Sequence, residues 1–174
     1  CLIKSDFSVK SEDSREVRIF SDIWVTDPPY ADAINYHELS EFYLSWYEKP
    51  LKTLFPAWYT DSKRALAVKA DDPIEFRQSM VDCYKRLVEH MPDNGIQVVM
   101  FTHQDAAVWA DLTLILWAAG LRVTAAWCIA TETDSALKQG NYVQGTVLLM
   151  LRKRTKEEAV FLDEIVPRVE AEVK

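Results

Sequence analysis

Apolar positions along the chain switch between two periods. A short hydrophobic segment over 22–26 (DIWVT) reads as a strand and is stopped by Pro28 and Pro29. From Asn35 to Glu48 the period lengthens: Leu39, Phe42, Tyr43, Trp46 and Tyr47 recur three and four residues apart, predicting a helix that Pro50 ends. A long irregular and aromatic connection follows over 51–72. A second helix is predicted over 74–90, with Pro73 ahead of it and Pro92 and the Asp93-Asn94-Gly95 turn behind. The run IQVVMFT over 96–102 suits a strand buried on both faces. A helix over 105–119 is closed by Gly120, strands follow over 121–130 and 146–152, and a polar loop separates them. An acidic helix is expected over 156–169. Before Ser21, two short strands over 6–10 and 16–20 are expected around the polar Ser11-Glu12-Asp13-Ser14 turn. Strand and helix alternate throughout, so the fold class is α/β.

Length and charge narrow this picture. The chain has 174 residues, enough for one domain with a sizeable core. No apolar stretch approaches the ~18 residues of a membrane span, and no leader pattern is visible, so no membrane partner and a cytoplasmic location are expected. The formal charge of −7 has the wrong sign for holding nucleic acid unaided, since phosphate contacts come from Lys and Arg. Local basic groups at Lys49, Lys52, Lys63, Arg64 and Lys69, and at Arg152 to Lys156, read first as solvated faces. Cys1, Cys83 and Cys128 lack ligand spacing and paired histidines. They read as buried free thiols, and no metal site is expected. The tryptophans at 46, 109, 117 and 127 read as core by spacing.

Asp27-Pro28-Pro29-Tyr30 is the string that carries chemistry. A given tetrapeptide occurs by chance in about one chain per thousand of this length, and this one ends a hydrophobic strand, where open α/β sheets place ligand crevices. Pro-Pro is also an ordinary strand terminator. The chemical reading is that an amine conjugated to a ring is a poor nucleophile. The Asp27 carboxylate and the Pro28 carbonyl, accepting hydrogen bonds from its NH₂, localise the lone pair on nitrogen. The prolines stiffen the acceptors, and Tyr30 stacks on a base rotated out of the duplex.

DPPY after a strand resembles the methyltransferases that act on exocyclic nitrogens. The longer string DPPYADAINYHELSEFYLSWY resembles one branch, the large bacterial and archaeal adenine-specific DNA methylases described with a zinc ribbon. VVMFTHQDAAVWADLTLILWAAGL and ATETDSALKQGNYVQGTVLLMLRKR add to the resemblance, which runs from about Ser21 to Arg154.

That resemblance implies the second half of a Rossmann-like S-adenosylmethionine-dependent methyltransferase sheet, mostly parallel with a reversed last strand and helices on both faces. A partial methyltransferase domain would occupy 1–154 and an acidic C-terminal helix 155–174. The donor would be S-adenosylmethionine and the acceptor adenine N6 in DNA. Asp27, Pro28, Pro29 and Tyr30 inherit the catalytic role, with Asp27 and Pro28 also beside the donor.

Position alone adds His103, Trp58, Tyr59, Glu132 and Asn141 as candidate substrate contacts. His103 could equally bond a nearby turn, and Glu132, Asp134 and Asn141 could be ordinary loop polar groups. His37 and His90 read as structural. The chain departs from the family in lacking a glycine-rich donor loop: Gly95, Gly120, Gly140 and Gly145 form no GxG. It also lacks the cysteines of a zinc ribbon. Homodimerisation, or association with an upstream donor-binding half along the 22–26 strand, is therefore expected. A non-catalytic assembly module, or the same chemistry on RNA or protein nitrogens, are the alternative readings.

Overall fold

The computed structural model describes residues 7–29, 36–56, 68, 72–130, 145–155 and 161–172. Among these residues four strands form one sheet: β1 (Ile23–Thr26), β2 (Ile96–Phe101), β3 (Leu121–Ile129) and β4 (Thr146–Lys153), in the order β1-β2-β4-β3. The helices are α1 (Tyr36–Leu54), α2 (Pro73–Glu89), α3 (Ala106–Ala118) and α4 (Leu162–Glu172). The α/β class and the reversed last strand hold.

The sheet is not mostly parallel, which corrects the expectation. β1 pairs parallel with β2, whereas β4 pairs antiparallel with both β2 and β3. The cause is topological. Strands β1, β2 and β3 share one direction, but reversed β4 lies between two of them and replaces a parallel ladder with two antiparallel ones.

Local chemistry explains the helix ends. Asp72 accepts from the backbone N–H groups of Ile74 and Glu75 and starts α2, with Pro73 in the first turn where its missing N–H costs nothing. Asp105 does the same for α3 through Ala107. Gly120, at φ +87°, turns the chain from α3 into β3 in the left-handed conformation that favours glycine.

Pro50 does not end α1, because the helix continues for another turn. A proline interrupts one backbone bond; Lys52 to Glu48 at 2.8 Å, Thr53 Oγ1 to the Lys49 carbonyl and Phe55 N to the Leu51 carbonyl hold the turn around it. The first part of the expected irregular connection is thus helical. No strands form over 7–10 or 16–20. Instead a short 3-10 turn, Ser14–Glu16, is capped by the Asp13 carboxylate, which also takes the Arg15 guanidinium. Among the described residues the last helix runs to Glu172, past the expected end at 169, with Pro167 inside it.

The core sits on one face of the sheet. Phe76, Met80, Tyr84 and Leu87 of α2 and Leu112, Ile115 and Leu116 of α3 pack on Val99 and Phe101 of β2 and Leu149 and Leu151 of β4. Strand β2 alternates buried and half-buried residues, so it is not buried on both faces as its apolar run suggested. The strand register gathers Val25, Val98, Met150, Met100, Leu148 and Trp127 on the other face. There Val25 is 63% and Trp127 58% exposed. Neither α1 nor α4 contributes a residue to the core, so among the described residues the helices cover one face rather than both.

Several aromatic and thiol assignments change with this one-sided packing. Trp46 is exposed on α1, Trp127 on the less covered sheet face, and Trp117 lies exposed beneath the Arg154 guanidinium at 4.3 Å. Trp109 alone of these four packs against the core. Cys83 is half-buried and Cys128 is exposed, so the buried-thiol expectation fails for Cys128. Among the described residues no helix is long and apolar enough to cross a membrane, and no group of side chains could hold a metal ion.

Candidate functional site

The parallel pairing of β1 and β2 brings their carboxyl ends to one edge of the sheet, the position where open α/β sheets build crevices. Asp27 leaves β1 at that edge and is exposed, while Pro28 is buried and Pro29 exposed. The strand alternation thus runs past β1: Thr26 and Pro28 face inward and Asp27 outward. Pro29 caps a small apolar cleft whose walls are Phe76 and Met80 of α2, Phe101 of β2 and Val108, Leu112 and Ile115 of α3. The Arg77–Asp111 ion pair, 2.7 Å, ties the two helices beside it.

His103 follows β2 at the same edge, two residues past its end. Its Nδ1 accepts from the Asp105 backbone N–H at 2.9 Å, which in the neutral ring leaves the proton on Nε2. The His103 carbonyl accepts from the Trp109 indole N–H at 2.9 Å, and Trp109 meets Phe101 edge to face, centroids 4.9 Å apart. His103 is therefore bonded within its own turn, just past the end of the strand that pairs with the one carrying Asp27.

Thr102 donates from Oγ1 to the Gly145 carbonyl at 3.0 Å. This fixes the start of β4 to the end of β2. Gly145 is obligatory for close packing: an added Cβ would lie 2.7 Å from the Ile129 carbonyl oxygen. The segment between Ala130 and Gly145 consequently begins and ends at the Asp27 edge. Glu132, Asp134 and Asn141 belong to that segment and, like Tyr30, Trp58 and Tyr59, lie outside the described residues. His90 is structural, with Nδ1 3.0 Å from the Arg86 carbonyl at the end of α2.

Two residues beneath the motif escaped the sequence reading. Tyr84, on the buried stripe of α2, places its hydroxyl 3.3 Å from Thr26 Oγ1, which in turn lies 3.4 Å from the Val98 carbonyl. The available signal was a polar-tipped residue inside the apolar series Phe76, Met80, Tyr84, Leu87. Burial pushes the Tyr84 phenol up to about 12, offset in part by the Thr26 bond and reinforced by the charges of Cys83 and Asp27. Burial likewise pushes the Cys83 thiol to about 11.

Both groups are neutral when protonated, and folding favours that form. Their stabilisation is complete below the ordinary values of 9.0 and 10.0 and disappears as pH rises through about 11 and 12. The urea midpoint is expected to fall progressively between pH 9 and 12, and Tyr84→Phe to flatten the upper part of that fall. An unchanged slope in the variant would remove Tyr84 as the source.

The described residues offer hydrogen-bond acceptors for an amine but no cradle for a nucleotide-like methyl donor. Gly95 and Gly120 stand before the amino ends of β2 and β3, at the opposite edge from Asp27, and the tight approach at Gly145 is taken up by β3. The donor-binding role for Asp27 and Pro28 has no further donor contact beside it among these residues.

No protein-family model matches the chain, and no curated protein matches its sequence. Among solved structures, the chain is similar to the crystal structure of TTHA0409 from Thermus thermophilus, provisionally named a DNA modification methylase, at 13% identity and a TM-score of 0.45. The match covers 87% of this chain and 55% of that one, so the chain spans about half the length of the protein it resembles.

Proposed function

We propose that this chain is the base-binding catalytic portion of an S-adenosylmethionine-dependent N6-adenine DNA methyltransferase. The reading is carried by one observation: Asp27-Pro28-Pro29 leaves a strand at the carboxyl edge of the sheet with its carboxylate exposed and the following proline buried. Asp27 accepts one N–H of the target amine and the Pro28 carbonyl the other, drawing the nitrogen toward sp³ geometry. Tyr30 stacks on the extruded base, and His103, Trp58, Tyr59, Glu132 and Asn141 contact the nucleic acid around it. Catalysis at such a site is mainly positioning. Asp27 and Pro28 also border the methyl donor, and no step of transfer is assigned to this chain beyond activation of the amine. Loss of methyl transfer on Asp27→Ala tests the reading, with DNA, RNA and protein acceptors assayed side by side.

The open sheet face favours a second reading, in which the chain acts only when assembled. Among the described residues strand β1 is an edge strand, and its own Ile23 and Val25 are exposed. Bare strand edges and large apolar patches are surfaces that proteins ordinarily cover. A second copy or an upstream donor-binding half would pair there. Sedimentation is expected to show concentration-dependent association that Val25→Lys combined with Trp127→Lys weakens at least tenfold, a loss of about 1.4 kcal/mol or more. A monomer at high concentration, with or without the upstream half added, would remove this reading.

A further inference from the structure

We propose that Tyr84 is a positioning residue for Asp27, acting through Thr26; the inference rests on the reading of Asp27 as an acceptor of the target amine. Thr26 is the residue before the carboxylate and the last of β1. Its hydroxyl donates to the Val98 carbonyl of β2 and accepts from the Tyr84 hydroxyl of α2. Three elements therefore meet at the one residue from which Asp27 departs.

The arrangement is directional. Tyr84 is 2% exposed, so its hydroxyl has left water and needs a partner. Thr26 is that partner among the described residues, and the prolines after Asp27 donate no backbone hydrogen bond of their own. The carboxylate is thus set from beneath by a hydroxyl relay rather than by a ladder continuing past it. Tyr84 touches neither substrate nor donor in this account. It fixes the backbone from which the touching group extends, where a displacement of about 1 Å is known to cost rate.

The test separates this role from simple packing. Tyr84→Phe keeps the ring and removes only the hydroxyl. In the gene product that carries these residues, kcat for methyl transfer is expected to fall about five- to tenfold, the scale of one neutral hydrogen bond, with KM for DNA unchanged. Thr26→Val should match it, Thr26→Ser should restore the rate, and the double variant Tyr84→Phe with Thr26→Val should be no worse than either single change. Hydrogen exchange supplies a readout independent of turnover: the Val25 to Asp27 amides should exchange faster in Tyr84→Phe, while those of Val99 and Phe101 stay as they were. Unchanged kcat with unchanged exchange, or fully additive losses in the double variant, would overturn the proposal. Full activity in Asp27→Ala would instead remove the role of Asp27, and the exchange result would still report whether Tyr84 holds Thr26.

Discussion

Replacing Asp27 by alanine is expected to lower kcat for methyl transfer by about 10²–10³-fold, the range found when one preorganised polar group is taken from a reacting centre. The carboxylate is exposed at the sheet edge and contributes nothing to the core, so the fold should persist. Affinity for DNA should change little, because most of it comes from phosphate contacts, which an acidic side chain does not make. The signature is therefore a loss in kcat with binding retained. Asp27→Asn discriminates further. Its amide oxygen still accepts the one N–H assigned to Asp27, with the Pro28 carbonyl taking the other, so it should recover part of the rate if acceptance alone matters and little if the carboxylate charge does. Wild-type turnover in Asp27→Ala would end the reading of this motif as the catalytic one.

How much of this was legible in the sequence depends on how local each feature is. Asp105 and Gly120 bracket α3 in the sequence and in the structure, because capping is a matter of neighbouring residues. The stripe of α2 was equally clear. Pro50 misled, since a proline removes one hydrogen bond and a helix long enough to make others can absorb that. The exposure of Trp46, Trp117 and Trp127 could not be read from spacing. Periodicity tells which residues share a face and says nothing about whether anything covers it. The same blindness hid Tyr84: its place in an apolar stripe was visible, but its partner lies 58 residues away on another element.

The motif itself was legible as a string, and its setting only in part. That Asp27 ends a strand followed from the hydrophobic segment before it. That Thr102 and Gly145 bring the β3–β4 connection to the same edge depends on reversed β4 lying beside β2, a pairing that local sequence does not encode. Glu132 and Asn141 lie outside the described residues, so their role belongs to the proposal alone.

The second large effect concerns stability. Phe101→Ala is expected to cost about 3–5 kcal/mol, the range for deleting a buried aromatic ring. Phe101 is 2% exposed, meets Trp109 edge to face, and forms part of the apolar cleft under Pro29. Its removal opens a cavity where β2, α3 and the motif converge. A domain of ordinary stability holds only about 5–15 kcal/mol in total, so the change would consume a large share. Urea denaturation should show a much lower midpoint with a similar slope, and the Trp109 fluorescence environment should change with it. Phe101→Leu, which fills most of the volume, should recover more than half of the loss. If alanine cost no more than about 0.5 kcal/mol, the ordinary range for a surface change, then Phe101 would not be the keystone between core and motif, and the anchoring of Pro29 would have to come from α2 and α3.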